Sequence, residues 1–443
     1  MRRAILAAAL ALAAAGCGEP KALVDNCHIG VYRLADGALV DVAPAPGGLR
    51  WRLMDGRTGL LAAGSDGGWT SKLGWTGRPD GVAVTFGTCA ENRIGFAGQA
   101  GQRLSFQTLE TRFAGHGGVE LAGRLVLPPG AGPAPVAVMV HGSEDTSARD
   151  FRIEQRLWPA QGVAVFVYDK RGTGGSNGRY TQDFDILSDD AAAAVGEARR
   201  LAGARTGRVG LDGSSQGGWV APLAASKTPV DFVIARYGLA DGPLAEDKGE
   251  VLLGLAEKGY GPDVLEKAGR VADATGEIMS SGFKEGFDTL AALRKQYGRE
   301  PWWKDLEGEF TGQIVHAPGP LVRLVGPHMD KGTSWTYDPM RVLSTLPTPV
   351  LWVLAGADRE APPDETRRRL VALAEAGRPV TVIEFPDTDH GIMEFEAAEG
   401  GRRMTRYADG YYRAVLDFAR DGRLEGAYGA ARRLAQPGPR PTP

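Results

Sequence analysis

Ser215 is the residue of this chain best placed to act as a nucleophile. It lies in a G-x-S-x-G pentapeptide between Gly213 and Gly217, after a short run with apolar Val209 and Leu211 and before a helix-compatible run at 219–226. Strand, sharp turn and helix in this order expose a serine hydroxyl at the end of a sheet, where a Cβ at either glycine would clash. The pattern therefore predicts that Ser215 is a catalytic nucleophile.

The chain contains a second match to the same pentapeptide, and its context differs. Ser176 lies between Gly174 and Gly178 in a polar, glycine-rich loop that no helical pattern directly follows. Glycine-rich loops of this kind are typical of turns. Ser176 is therefore interpreted as a loop residue.

A serine hydroxyl needs a base within hydrogen-bond reach and a group that orients the base. His390 follows a predicted strand at 379–385, and Asp358 follows a predicted strand at 349–356. Parallel strands end at one edge of a sheet, and the order serine, acid, histidine fits the nucleophile motif. Asp358 and His390 are predicted to complete a triad with Ser215.

Other residues compete for two of these roles. Asp387 and Asp389 are rival acids, but they lie beside His390 in one loop, which favours Asp358. Ser143 ends a buried apolar run, and its backbone N–H is predicted to oppose that of Gln216 across an acyl oxyanion. One such donor is worth about 2.7–4 kcal/mol of activation barrier. His141 is interpreted as structural.

The elements that position these residues alternate between strand and helix. Near-continuous apolar runs are typical of strands buried on both faces of a parallel sheet. The pattern predicts an α/β unit with a doubly wound, mostly parallel sheet over 113–435. A polar, helical insertion at 241–336 is interpreted as a lid over Ser215, and a helical bundle beside the sheet is the alternative. The apolar runs before the insertion are 135–143, 163–169, 208–213 and 230–237.

A different pattern precedes this unit. Residues 31–112 contain short runs of period two separated by glycine-rich turns, which predicts a small antiparallel β domain, a sandwich or a partial barrel. Trp51, Trp69 and Trp75 could line a ligand surface, but packing between strands is the favoured interpretation.

The N-terminus has the pattern of an export signal. Arg2 and Arg3 precede an apolar stretch at 4–15 that is too short to span a bilayer. Residues 14–17 resemble the lipobox of bacterial lipoproteins, which implies cleavage of 1–16 and lipidation of Cys17. With Gly18 after the cysteine, the resemblance implies an exported protein, lipid-anchored at the outer membrane and facing the periplasm.

The remaining cysteines suggest a disulfide, and the two chain ends suggest segments outside the folded units. The sequence has three cysteines, so Cys27 and Cys89 are left as a disulfide candidate, or as two unpaired buried residues. A tether is predicted at 17–30 and a disordered tail at 436–443.

Composition excludes several classes of partner. The chain of 443 residues is 43% hydrophobic and 24% charged, with a net charge of −3, as expected of a soluble globular protein. The basic cluster 367–369 is interpreted as a solvated helix face, so no nucleic-acid partner is predicted. No cysteine and histidine spacing indicates a metal site, and no cofactor is predicted.

These motifs resemble those of the α/β-hydrolase superfamily over about 119–420. The segments 141–150, 168–176 and 337–339 are similar to signatures of a bacterial esterase group related to prolyl-oligopeptidase and prolyl-aminopeptidase serine peptidases. The resemblance implies the fold and the triad. It departs at Glu144 and Asp145, where the group has Gly-Pro, and this carboxylate pair could disfavour anionic substrates.

Three functions are compatible with the sequence. The leading hypothesis is a carboxylic-ester hydrolase for a small, short-acyl ester, acting through an acyl-Ser215 intermediate. The second is a serine peptidase or amidase, although no acidic pair in 241–336 stands out as a site for a substrate amine. The third is a tethered envelope binding protein with a vestigial hydrolase unit.

Overall fold

The computed structural model describes residues 26–64, 68–399 and 401–437. The predicted signal at 1–16, the lipidation site Cys17 and most of the predicted tail lie outside the described residues. None of the described helices combines the length and the apolar character that crossing a bilayer requires.

The first unit is a closed antiparallel barrel, in which β1 pairs with both β2 and β8. Its interior is filled by buried side chains at alternating positions of the strands, such as Val40, Val42 and Trp51. The predicted small antiparallel β domain is confirmed, with full closure where a sandwich or a partial barrel was expected. The barrel strands are β1 (Gly30–Leu34), β2 (Leu39–Ala45), β3 (Gly48–Leu53), β4 (Thr58–Ala63), β5 (Trp69–Leu73), β6 (Val84–Phe86), β7 (Arg93–Phe96) and β8 (Gln99–Arg103).

A disulfide joins the segment before β1 to the connection between β6 and β7. Cys27 and Cys89 form a disulfide with a Cα–Cα distance of 5.6 Å across 62 residues of sequence. A crosslink over a loop of this length reduces the conformational entropy of the unfolded chain.

The three barrel tryptophans differ in exposure, since Trp51 is buried and donates to Ser71 Oγ, whereas Trp75 is 37% exposed.

The second unit is built on a nine-stranded sheet in the order β20-β16-β15-β14-β13-β11-β12-β10-β9. The six central strands, β12, β11, β13, β14, β15 and β16, are parallel to one another. At one edge β10 pairs antiparallel with β12 and β9 pairs antiparallel with β10, and at the other edge β20 pairs antiparallel with β16. The predicted doubly wound, mostly parallel sheet is confirmed. Its strands are β9 (Gln107–Ala114), β10 (Glu120–Leu127), β11 (Ala134–Val140), β12 (Ala164–Tyr168), β13 (Thr206–Ser214), β14 (Phe232–Arg236), β15 (Val350–Ala355), β16 (Val380–Phe385) and β20 (Arg432–Ala435).

The boundary between the two units lies earlier than the sequence predicted. Strand β9 pairs along its whole length with β10 of the large sheet, so the barrel ends at Arg103 and not near Arg112. The sequence did not indicate this because β9 is an edge strand whose side chains are mostly exposed. Such a strand lacks the continuous apolar run that marks the central strands.

Helices cover both faces of the sheet. One face packs against α3, α4 and α11, and the opposite face against α1, α2 and α12. The helices outside the insertion are α1 (Ala148–Phe151), α2 (Glu154–Leu157), α3 (Phe184–Ala202), α4 (Gly217–Lys227), α10 (Met340–Leu343), α11 (Asp364–Glu375) and α12 (Tyr411–Asp421). In the insertion they are α5 (Pro243–Glu257), α6 (Pro262–Ser280), α7 (Phe287–Tyr297), α8 (Thr311–His316) and α9 (Gly319–Met329).

The insertion between β14 and β15 has its own apolar core, which includes Trp302, Trp303 and Trp335. After its last helix, the chain returns to the α/β unit, where the backbone N–H of Gln182 donates to Lys331 O at 2.9 Å. The insertion is therefore packed around a separate core and joined to the sheet unit near Lys331.

A small three-stranded sheet connects the barrel to the large sheet. It consists of β17 (Thr388–Asp389), β18 (Met393–Ala398) and β19 (Gly401–Tyr407). Barrel backbone groups bond to β19, since Trp75 N donates to Met404 O and Tyr407 N donates to Gly56 O. The barrel thus packs on the hairpin that follows His390 in the chain.

Candidate active site

Ser215 lies on the sharp turn between β13 and α4 and has a φ of 52°. A Cβ added at Gly213 would lie 2.0 Å from Gly217 O, and one added at Gly217 would lie 2.3 Å from Val140 O. Both glycines of the pentapeptide are therefore required by close backbone approach. A left-handed φ at a serine is uncommon and is typical of a strained functional turn.

A buried ionic network lies beneath this turn. The backbone carbonyl of Arg236 accepts a hydrogen bond from the Ser215 N–H at 2.9 Å. The guanidinium of Arg236 forms ion pairs with Asp212 at 2.6 Å and with Glu154 at 2.7 Å. Burial raises the pKa of Asp212 to about 6, against the opposing charge of Arg236. The network links β13, β14 and α2 under the serine.

Asp358 and His390 form a hydrogen-bonded pair. Strands β15 and β16 end at neighbouring positions of one sheet edge, and His390 Nδ1 lies 2.9 Å from Asp358 Oδ2. The other oxygen of the buried Asp358 accepts from the backbone N–H groups of Glu360 at 3.0 Å and Ala361 at 2.8 Å. This arrangement fixes the carboxylate and orients the imidazole.

Ser215 and His390 line one cavity of about 650 Å³. His390 Nε2 lies 3.5 Å from Glu360 Oε1, and within the described part of the chain Ser215 Oγ makes no hydrogen bond. Catalytic hydrogen bonds are often long in unliganded proteins and shorten when substrate binds. The structure thus brings Ser215 and His390 to one cavity, and Asp358 lies behind His390 with the Asp358–His390 bond formed.

The other serine, acid and histidine considered from the sequence lie in structural or exposed positions. Ser176 Oγ donates to Asp169 O at 2.6 Å and accepts from Ala122 N at 2.9 Å, as expected of a loop residue. Asp387 is exposed. His141 is buried, with Nε2 bonded to Tyr168 O at 2.8 Å.

Asp389 takes part in a contact between the loops of Asp358 and His390 that the sequence did not indicate. Its carboxylate accepts from Arg402 Nη1 at 2.7 Å, and the same nitrogen donates to Ala357 O at 2.6 Å. Arg402 therefore joins the residue before Asp358 to the residue before His390. No local pattern marks Arg402, because it reaches the site from β19.

Tyr237 was also missed as a cavity residue. It directly follows β14, has a φ of 42°, and meets the His390 ring edge-on with centroids 4.9 Å apart. Its position directly after a parallel strand, like that of Asp358, is the sequence signal that could have identified it as a residue of the site.

The predicted oxyanion donors lie next to the serine. A Cβ added at Gly142 would lie 3.2 Å from Ser215 Cβ, so the Gly142–Ser143 peptide borders the nucleophile. Neither the Ser143 nor the Gln216 backbone N–H has an acceptor among the described residues. Both groups are thus available to a substrate oxygen.

Glu144 lies beside this pair of donors with its charge compensated. Arg152 Nη2 contacts Glu144 Oε1 at 3.0 Å and donates to Ser214 Oγ at 2.9 Å. Burial would raise the pKa of Glu144, but the positive charge of Arg152, with that of Lys170, lowers it to about 2. The carboxylate is therefore ionised and held by Arg152.

The insertion contributes carboxylates near His390. Burial raises the pKa of Glu246 on α5 well above its usual range, His390 opposes this, and the charges of Glu360 and Glu309 add to it. Burial and nearby acids also raise the pKa of Glu250 to about 7, although its hydrogen bond from Glu309 N, at 2.8 Å, lowers it. Glu246 and Glu250 lie one turn apart on α5, but their proximity to the other acidic residues of the site exists only in the folded chain.

The pH dependence of catalysis should report this acidic environment. Burial lowers the pKa of His390, but the hydrogen bond and charge of Asp358, with the charges of Glu360 and Glu246, raise it to about 9. A general base must be neutral, so kcat/KM is expected to rise with pH up to about 9. Glu360→Gln removes one of these charges and should move the midpoint down by about one unit.

The matched control for this measurement is Glu375→Gln, which changes an exposed carboxylate at the end of α11. Its pH profile should coincide with that of the unchanged protein. An unchanged midpoint in Glu360→Gln would contradict the electrostatic coupling to His390.

Parts of the chain are similar to known hydrolases. The sequence profile of the X-Pro dipeptidyl-peptidase (S15 family) matches residues 117–306, less than half of the chain. Esterase FrsA of Enterobacter sp. (strain 638) is 31% identical over 98 residues, which is 22% of this chain and 24% of that protein. The chain thus matches about a quarter of that relative's length. These matches support a serine hydrolase of the esterase or peptidase kind.

Two solved structures that resemble the chain do so distantly. An esterase of Pyrococcus furiosus is 15% identical with a TM-score of 0.40, over 64% of this chain and 84% of that one. The acylaminoacyl peptidase of Pyrococcus horikoshii is 16% identical with a TM-score of 0.43, over 88% and 56%. These likenesses are too distant to indicate a substrate.

Proposed function

We propose that this chain, a serine hydrolase with the α/β-hydrolase fold, cleaves carboxylic esters through an acyl-Ser215 intermediate. The observation that carries the proposal is the Asp358–His390 hydrogen bond of 2.9 Å beside a cavity that His390 and Ser215 both line. A serine on such a turn, with a base oriented by a buried acid, is the arrangement required for acyl transfer.

The proposed reaction has two balanced steps. Ser215 Oγ attacks the ester carbonyl carbon while His390 Nε2 takes its proton, and the oxyanion accepts from the Ser143 and Gln216 N–H groups. The proton passes from His390 to the departing alcohol, leaving acyl-Ser215. Water then attacks the acyl carbon with His390 as base, and the acid and free Ser215 are released.

The lining of the cavity favours small, short-acyl substrates. Among the described residues that line it, Tyr180 and Tyr237 are the aromatic ones and none is aliphatic, whereas several are charged. A long acyl chain would find little apolar surface to cover it there. Aryl esters of increasing acyl length test this, and higher kcat/KM for long acyl chains than for short ones would contradict it.

A second candidate function, cleavage of amides next to a free amine, is favoured by the carboxylates around His390. Glu360 lines the cavity, and Glu246 and Glu309 raise the local density of acidic groups. A bound ammonium would favour the ionised forms of Glu246 and Glu309, whose pKa values burial raises, and would be stabilised by them. The match to a dipeptidyl-peptidase family over 117–306 points in the same direction.

Paired substrates separate the two functions. Esters and amides with the same acyl group, each made with and without a free amine, should be compared in the wild type and in Glu360→Gln. Turnover of esters without turnover of any aminoacyl or prolyl amide would reject the peptidase, and the reverse would reject the esterase.

We also propose that the chain is exported and held at the outer membrane by lipid on Cys17, facing the periplasm. The Cys27–Cys89 disulfide supports an oxidising compartment. Incorporation of a fatty-acid analogue into the full chain, and its loss in Cys17→Ser, would test the anchor. Equal incorporation in both would contradict it.

A further inference from the structure

Lys170 is a buried cation that contacts the backbone of the oxyanion loop. It follows β12, is 3% exposed, and its Nζ donates to Gly142 O at 2.6 Å. The Tyr180 ring lies 4.8 Å from the same nitrogen. The triad chemistry assigns no role to this side chain.

The accepting carbonyl belongs to the peptide that carries the predicted oxyanion donor. Gly142 O and the Ser143 N–H are the two polar ends of one planar amide. A charge-assisted hydrogen bond to the oxygen withdraws electron density through the amide and makes the N–H a stronger donor. That N–H borders Ser215 and has no acceptor among the described residues.

The neighbouring peptide is held in a similar way. The Tyr180 hydroxyl donates to Ser143 O, and Gln182 Nε2 donates to the Tyr180 hydroxyl at 3.1 Å. The carbonyl oxygens of Gly142 and Ser143 thus both accept hydrogen bonds from side chains. This fixes the orientation of the peptide that contains the Ser143 N–H.

An ion-pair role does not account for Lys170. Among the described residues it has no carboxylate within 4.0 Å, and a buried charge without such a partner is costly. Burial lowers the pKa of Lys170 to about 8, Glu144 and Asp145 raise it, and Arg152 lowers it. His141, also buried nearby, is held neutral because burial and the Lys170 charge lower its pKa to about 3.

We propose that Lys170 is a positioning residue of the oxyanion hole, whose ammonium orients and polarises the Gly142–Ser143 peptide so that the Ser143 N–H binds the acyl oxyanion. The inference rests on the proposed acyl-Ser215 chemistry and adds a residue to it.

The acyl-enzyme carbonyl stretch reports the strength of the oxyanion donors. An aryl ester with an isotope-labelled carbonyl and slow deacylation would be used on the full chain, in the wild type, Lys170→Met and Lys170→Arg. Methionine keeps the length and apolar character of the stem without a donor. The stretch is expected at higher frequency in Lys170→Met, with partial return in Lys170→Arg.

Kinetics and pH give two further readouts. Losing this polarisation is expected to lower kcat/KM of Lys170→Met by about tenfold, less than the loss of a whole donor. In the wild type the stretch should move to higher frequency as pH rises through about 8, the pKa of Lys170, and this step should be absent in Lys170→Met. Because the wild-type titration needs no variant, it tests the proposal even if Lys170→Met unfolds.

Lys227→Met is the matched control, since Lys227 forms ion pairs with Asp185 at 3.2 Å and Asp189 at 2.8 Å away from the cavity lining. It should leave the stretch and kcat/KM unchanged. An unmoved stretch in Lys170→Met, with acyl-enzyme formed, would overturn the role of Lys170 alone. Failure of the wild type to form any acyl-enzyme would contradict the proposed function as well.

Discussion

Asp358→Asn is expected to lower kcat for ester hydrolysis by about 10⁴-fold without unfolding the protein. The backbone N–H groups of Glu360 and Ala361 point at Asp358 Oδ1, so an asparagine would place its oxygen there. Its NH₂ group would then face His390 Nδ1. That contact selects the imidazole tautomer with hydrogen on Nε2, which cannot take the Ser215 proton.

The control for this change is Asp387→Asn, which alters an exposed carboxylate in the loop of the histidine. Its kcat should stay within about twofold of the wild-type value, as for most exposed substitutions. If Asp358→Asn kept more than about a tenth of the activity, or if Asp387→Asn lost as much, Asp358 would not be the acid of the triad.

Ser215→Ala is expected to lower kcat by about 10⁶-fold, because the covalent step is lost. The residual rate over water would come from substrate binding and the oxyanion donors. Thermal stability should be retained or rise, since alanine removes a hydroxyl without a hydrogen bond among the described residues. Steady-state hydrolysis of an aryl acetate and the unfolding temperature would be measured together.

Ser176→Ala is the matched control, because Ser176 has the same flanking glycines but a structural environment. Loss of its bonds to Asp169 O and from Ala122 N should cost about 1 kcal/mol of unfolding free energy. Its kcat should change little. A large loss of turnover in this variant with full activity in Ser215→Ala would reverse the assignment of the nucleophile.

Much of the fold and of the triad could be predicted because the relevant signals are local. Buried parallel strands appear as continuous apolar runs, and a strained turn such as that at Ser215 needs glycines at fixed spacing. Asp358 and His390 follow strands that end at one sheet edge, so their proximity follows from topology.

The remaining features depend on tertiary contacts that leave no local pattern. Closure of the barrel requires β1 to meet β8, and β9 joins the large sheet as an exposed edge. Arg402 reaches the catalytic loops from a hairpin, and Glu246 reaches His390 from the insertion. Lys170 was visible in sequence only as part of a family-like motif, because its contact with Gly142 O exists only in the folded chain.

The central claim is that Ser215 is an activated nucleophile, and intact-mass analysis after exposure to a fluorophosphonate tests it most directly. Wild type and Ser176→Ala are each expected to gain one adduct, and Ser215→Ala none. An adduct that persists in Ser215→Ala would contradict the assignment. No adduct on the wild type would contradict the activated site and favour a tethered binding protein with a vestigial hydrolase unit.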